Sequence, residues 1–283
     1  MVTTTRMLSL LAAVLCFAPL AAPAQETALP EADAILDRVV EAMGGAAAHQ
    51  KIRSRVMDQD MTIAAHGMNL KSSVHQEQGN VRQSVGIPGQ GMQEFGSNNG
   101  LVWSSDPMMG PRILEGAERE FFLRSTRLYP YMHAKADYTG RTVVAMEKVN
   151  DRDCYKLELK PKAGSPEHWF IDKETHQIAR MVMTYTGPLG TLPIKIDLSD
   201  YRPIDGIQYA HATALDQAGT AIQMSLAKVS HNAEIDPAKF ALPAAIQKLV
   251  DKKKKKEALR PQEEKPAEKP EEKPAEQPAG GGR

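Results

Sequence analysis

The stretch Val149–Gly187, VNDRDCYKLELKPKAGSPEHWFIDKETHQIARMVMTYTG, sets the architecture of this chain. Tyr155, Leu157 and Leu159 alternate with Lys156, Glu158 and Lys160. A period of two marks a strand with one buried face. A Lys-Ala-Gly-Ser-Pro turn follows, then Trp169 and Ile171, a turn at Asp172–Thr175 and a third apolar run from Ile178 to Tyr185. Three strands joined by short polar turns form an antiparallel meander. The bulky side chains of the first two strands predict packed core. Met181 and Met183 on the third predict a softer wall, while the Asp172 turn reads as a hairpin and nothing more.

The same grammar extends in both directions. Upstream, Met57, Met61 and Ile63 share one parity, Val81, Val85 and Ile87 another run, and Ser97-Asn98-Asn99-Gly100 is a hairpin signal between Met92–Phe95 and Leu101–Ser104. Downstream, Leu192, Ile194, Ile196 and Leu198 alternate with Lys195 and Asp197, and Ile207–Leu215 and Ile222–Val229 complete the set. About ten or eleven strands are predicted, with no strand–helix–strand rhythm, so a parallel sheet is disfavoured. Glu31–Met43 reads as a helix, with Ile35, Leu36, Val39, Val40 and Met43 as its apolar stripe and Gly44-Gly45 as its stop. A second helix, Glu115–Leu128, with Ala117, Phe121, Phe122 and Leu128 on its apolar side, follows the loop Asp106–Pro111. It is the one large interruption of the strands and the natural lid. The predicted class is mainly β: a strongly curved antiparallel sheet or partial barrel with helices on its concave face.

The two ends read differently. Arg6, the apolar run Met7–Ala22 and Ala22-Pro23-Ala24 form a secretory leader cut after Ala24, which places the chain in the periplasm. Leu15 before Cys16 does not suit a lipid-anchoring signal, and Cys154 is then the sole cysteine of the mature chain, without a disulfide partner. We expect its thiol partly exposed or under a helix. Residues 25–250 suffice for one domain. From Asp251 to Arg283 the chain is Lys/Glu/Pro-rich, too poor in apolar side chains to fold on its own, and is predicted as a solvated, disordered tail. Its lysine run could also touch anionic lipid head groups.

The chain has 283 residues with 35 basic and 35 acidic side chains, and losing Arg6 with the leader leaves 34 against 35. No net field attracts nucleic acid. The eight histidines form no metal or nucleophile motif and read as surface or turn residues, and GIPGQG at 86–91 lacks the Lys-Ser/Thr and helix of a phosphate loop. No acid–base pair stands out, so the chain is read as a non-enzyme without cofactor or metal.

Several motifs carry a family resemblance. They are Glu41–Gly45, Gly100–Trp103, Gly110-Pro111 with Leu114–Gly116, Asp153–Leu157, Phe170–Thr175, and Asp200–Arg202 leading to Asp205–Ile207. In this order and spacing, over Ile35–Leu242, they resemble the outer-membrane lipoprotein-sorting-like family related to the LolA/LolB lipoprotein carriers. The resemblance implies an unclosed barrel whose helices cover a hydrophobic cavity, which in the carriers takes lipoprotein acyl chains. No functional residue transfers to a position of this chain.

Fourteen methionines against 5% aromatics suit an adaptable apolar lining. The candidate lining residues are Met57, Met61, Met92, Trp103, Met108, Met109, Phe121, Phe122, Met181, Met183 and Met224. The expected role is a periplasmic binding protein, a carrier or chaperone for lipid or lipoprotein acyl chains in outer-membrane biogenesis, with peripheral membrane contact and an envelope protein as further partners. The alternative is a scaffold with a filled barrel and an extended tail.

Overall fold

Thirteen strands form a single antiparallel sheet. The computed structural model describes residues 29–188 and 190–258. The expected leader and the tail beyond residue 258 lie outside the described residues. The strands are β1 (Ser54–Ile63), β2 (Met68–Glu77), β3 (Asn80–Ile87), β4 (Gly91–Asn98), β5 (Leu101–Asp106), β6 (Gly110–Ile113), β7 (Tyr138–Val149), β8 (Arg152–Pro161), β9 (Glu167–Asp172), β10 (Ile178–Gly187), β11 (Gly190–Ile204), β12 (Ile207–Gln217) and β13 (Thr220–His231). β1 to β6 form one meander and β7 to β13 a second, joined where β13 pairs with β1. β6 and β7 are the free edges and do not pair, so the barrel is unclosed.

The extra strands over the expected ten or eleven include β6, whose Gly110-Pro111 reads as loop. Proline cannot donate to a ladder, and β6 tolerates Pro111 because it is an edge strand. Five two-residue turns, among them Asn99-Gly100, Asn150-Asp151 and Asp205-Gly206, hold both residues at positive φ. That geometry matches the twist of the flanking strands.

Helix α1 (Ala32–Ala42) lies on the inner face, with Ile35, Leu36 and Val39 at most 1% exposed. It is followed by the single turn α2 (Ala46–His49). Gly44 between them has φ +121°, and a Cβ there would stand 2.3 Å from the Gly206 carbonyl oxygen. Only glycine lets the end of α1 approach the β11–β12 turn so closely, where the Gln208 amide donates to Met43 O at 3.0 Å. Arg141 of β7 pairs with Asp33 of α1 and holds its carboxyl below the usual range, the direct hydrogen bond outweighing burial.

Residues 114–137 cross from one sheet edge to the other. They contain α3 (Gly116–Ser125), a 3-10 turn at Pro130–His133 and α4 (Ala134–Asp137). The expected lid helix is therefore shorter than Glu115–Leu128; its Phe122 is buried, but Ala117 is exposed. The main core joins α1, the crossover and β7 to β12, with Leu157, Leu159, Trp169 and Ile171 at its centre. This half of the barrel is filled.

The outer face has its own packing. Cys154 is fully buried there with Val149, Phe170 and Ala179, contrary to the expected partial exposure. Its parity is the one opposite Leu157, as the alternation requires. Helix α5 (Ala244–Ala258) packs against β6 through the fully buried Ile246. Residues 251–258, expected within the disordered tail, are thus helical. No described helix is long and apolar enough to cross a membrane.

Candidate ligand-binding cleft

The other half of the inner face, under α3, is hollow. On β5, Val102, Ser104 and Asp106 face inward, while Trp103 between them faces out. The Leu114 amide donates to Val102 O at 2.9 Å and starts the chain across the sheet. Phe122 of α3 packs on Val102 and Leu114 and stacks on Phe95, with ring centroids 6.3 Å apart. Phe121 meets Tyr185 of β10 edge-on at 5.6 Å. Between these contacts lies a cleft of about 350 Å³, walled by Phe95, Leu114, Phe121, Phe122, Leu192 and Ile194. Gln83, Gln93, Ser104, Asp106, Arg112 and Gln217 supply its polar groups. Larger hollows of about 510, 570 and 720 Å³ occur elsewhere, but several charged side chains, among them Arg53, Glu77, Arg127, Asp58 and Lys228, stand in their walls. Ligand pockets combine apolar walls with a few convergent polar groups, so the smaller cleft is the candidate site.

Two ionic latches hold α3 across the opening. Arg112 of β6 donates both terminal nitrogens to Glu118, at 2.8 and 3.2 Å, and the Tyr185 hydroxyl donates to the same carboxylate. Burial, then the bond to Glu118, pushes the Tyr185 hydroxyl up to about 12. At the far end of α3, Arg124 and Tyr138 both donate to Glu167, whose side chain is 5% exposed. Burial and Glu167 raise the Tyr138 hydroxyl as well. The first latch joins the β6 edge to β10 and the second joins α3 to β9. Together they span the gap that the sheet leaves open.

The cleft opens at one end of the barrel. Strand directions place the β1–β2, β3–β4, β5–β6, β8–β9, β10–β11 and β12–β13 connections at that end. Ala64–Gly67, Pro88–Gln90, Pro107–Met109, Pro188 and Ala218-Gly219 carry no Asp, Glu, Lys or Arg, and Lys162 on the β8–β9 connection is the exception. Met108 is 86% exposed at the rim. The connections at the opposite end include Asp151, Lys173, Glu174 and Asp205.

Of the candidate lining residues, Met109, Phe121 and Phe122 border the cleft, and Met108 stands on its rim. Met57, Met61 and Met224 share the inner face, with Met61 opposite Met224, but lie on β1 and β13 outside the cleft. Met181 packs on the main core and Met183 is buried. Met92 is exposed on the outer parity of β4. Trp103 faces outward under Arg82, whose guanidinium lies 5.2 Å from the ring centroid and donates to Ala241 O at 3.1 Å. The C-terminal segment thus covers Trp103. The wall of β10 does change from packed core to cleft lining, but at Tyr185, beyond both methionines. Arg112, Glu118 and Leu192 were not nominated from the sequence. Leu192 lay on a legible alternating strand; nothing local marked the two charges as partners.

Two histidines expected at the surface are buried. His49 donates from Nδ1 to Gly45 O and accepts from the Tyr131 hydroxyl, both at 2.7 Å, and burial lowers its pKa. His231 is held by Asp205 at 2.8 Å and accepts from Tyr209 at 2.6 Å, while Tyr129 bonds Tyr209 at 2.8 Å. None of the hollows above is lined by His231. Its partners Tyr129 and Tyr209 belong to the main core. The Asp172 turn is more than a hairpin: its carboxylate accepts from the Glu174 and Thr175 amides at 2.9 Å and pairs with Arg152. Burial alone would raise this carboxyl, but those amides and Arg152 bring it below the usual range.

No protein-family model matches the chain, and no curated protein matches it in sequence. Solved structures do match. A LolA superfamily protein from Nitrosomonas europaea aligns over 76% of this chain and 99% of its own, with TM-score 0.50 and 14% identity. The chain shares its fold with this LolA superfamily protein. A DUF1329 family protein from Desulfovibrio piger aligns over 77% of this chain and 100% of its own, with TM-score 0.52 and 16% identity. At such identities the likeness concerns the LolA-type barrel and its covering helices, not the residues of the cleft.

Proposed function

We infer that this chain is a hydrophobic-ligand-binding protein of the periplasm, a carrier or chaperone for lipid or lipoprotein acyl chains in outer-membrane biogenesis. The observation that carries the reading is the apolar cleft of about 350 Å³ under α3. That volume is at the lower end of the roughly 300–1,000 Å³ usual for ligand sites, which suits one chain better than several. Each methylene withdrawn from water contributes about 0.8 kcal/mol, so a chain of ordinary length needs few polar contacts to bind. The lid and its two latches shield the chain, and breaking the Arg112–Glu118–Tyr185 latch opens the entrance. The LolA-type fold supports this reading, since a sheet left open on one side leaves room for a covered hollow.

The rim, uncharged but for Lys162, supports peripheral contact with a bilayer. A charged side chain near the membrane interior costs about 2.5–3.5 kcal/mol, and the tips around the mouth avoid that cost. A leader cut after Ala24 would deliver the chain to the compartment where such cargo crosses water.

Native mass spectrometry of the gently purified mature chain, with a vesicle-to-vesicle transfer assay, tests the reading. We expect co-purified acyl lipid, released on mild heating, and faster transfer with protein than without. A chain that never carries lipid and leaves transfer unchanged sinks it, and favours a scaffold built on the filled half.

A further inference from the structure

We propose that Ser104 and Arg112 form a carbonyl anchor inside the cleft, one that selects acyl esters and amides over free fatty acids. The two residues are directly paired across β5 and β6, and both line the cleft. Ser104 is 2% exposed. Its Oγ, and Nε of Arg112, are buried without a hydrogen-bond partner. Buried polar groups are rarely left so, and two of them on facing positions of one site mark a place for a ligand atom. The terminal nitrogens of Arg112 are committed to Glu118, which leaves Nε–H and the serine O–H as unused donors. Two such donors on paired residues of neighbouring strands suit a single acceptor, the carbonyl oxygen of the first acyl carbon.

The local charge decides which acyl compound fits. Arg112 is neutralised by Glu118, and Asp106 adds a negative charge two residues from Ser104 on the same inward parity. The Asp106 carboxylate is held in place by the Met108 and Met109 amides at 2.8 and 3.0 Å and by the Gln93 amide at 2.9 Å. A fatty-acid carboxylate at Ser104 would meet an uncompensated like charge. An ester or amide carbonyl offers the same acceptor with no charge. The selected ligands are therefore monoacyl esters and amides, as in acylglycerols and acylated polypeptides.

This proposal rests on the cleft being the acyl site, and the test separates the two claims. The mature chain is titrated with monolauroylglycerol and with lauric acid, each below its micelle concentration, by displacement of the uncharged apolar probe N-phenylnaphthylamine. We expect the ester to bind about tenfold more tightly than the acid. Ser104→Ala should lose about fivefold to tenfold in ester affinity relative to its own probe affinity, with the melting temperature unchanged, which is the loss of one buried hydrogen bond. Asp106→Asn should raise acid affinity and narrow the gap. If Ser104→Ala binds the ester as the wild type does, or the acid binds as well as the ester, the anchor is wrong while the cleft stands. If neither probe nor ester binds the wild type, the cleft reading fails and the anchor with it.

Discussion

Replacing Leu192 by Trp should block the cleft while leaving the fold intact. Leu192 is half-buried, lies opposite Tyr185 on β11, and faces the hollow of about 350 Å³. An indole there has empty space to occupy, so we expect a melting temperature within about 2 °C of wild type, equivalent to less than about 1 kcal/mol for a domain of this size. An acyl chain would lose the room for about two methylenes. At about 0.8 kcal/mol each that is about 1.6 kcal/mol, a Kd more than about tenfold weaker. Leu157→Trp is the control. Leu157 is 0% exposed in the filled half, where an added ring overpacks the core by about 1–3 kcal/mol and lowers the melting temperature by roughly 2–12 °C. Thermal melts and titration with a fluorescent acyl probe read both effects. Equal destabilisation by the two substitutions would show that the space under α3 is not hollow. Unchanged probe affinity in Leu192→Trp would place the ligand elsewhere.

The remaining predictions concern the frame and the rim. Gly44→Ala should cost at least about 3 kcal/mol in denaturant melts, because φ +121° and the Gly206 oxygen 2.3 Å from the new Cβ leave it no relaxed position, whereas Gly67→Ala, with nothing within 4 Å, should cost about 1–2 kcal/mol. Cys154 should resist iodoacetamide at pH 8 in the native protein and react on unfolding, since burial, and then Asp172, raise its thiol pKa; mass spectrometry across a urea series follows it. Asp172→Ala should destabilise by about 1–2 kcal/mol at pH 7. Because the folded carboxyl lies below its unfolded value, that stabilisation is full above about pH 4 and fades as pH falls through the folded pKa, so wild-type and variant melts should converge in acid. Met108→Glu, at an 86% exposed rim position, should keep wild-type stability and weaken flotation with neutral vesicles several-fold.

Much of the frame was legible because alternation is a local signal. Tyr155, Leu157, Leu159, Trp169 and Ile171 occupy the inner face as their parity requires, and the stripe on α1 buries against them. The cleft was less legible. Methionine content pointed to an adaptable lining, yet Met57, Met61 and Met224 line β1 and β13, and Met181 and Met183 pack on the filled side or are buried. Composition names soft side chains but does not say which strands stand opposite the crossover helix. Trp103 shows a second limit. It was expected in the lining, but its parity opposes that of Val102, and the C-terminal segment covers it on the outer face. The histidines show a third, since Asp205 and His231 are 26 residues apart and meet only because the β11–β12 turn and the end of β13 share one rim.

From the sequence alone follow the antiparallel meander, a curved sheet or partial barrel, the apolar helix at Glu31–Met43, the interruption after Asp106 and the balance of charge. These rest on period, turn residues and composition, which neighbours in the chain express whatever lies across from them. Tertiary structure decided which half of the barrel is filled, where Arg112, Glu118 and Tyr185 meet, and why Ser104 lacks a partner. Each depends on the path of residues 114–137 from one sheet edge to the other. A hollow is the space between elements distant in sequence, and no local pattern encodes it.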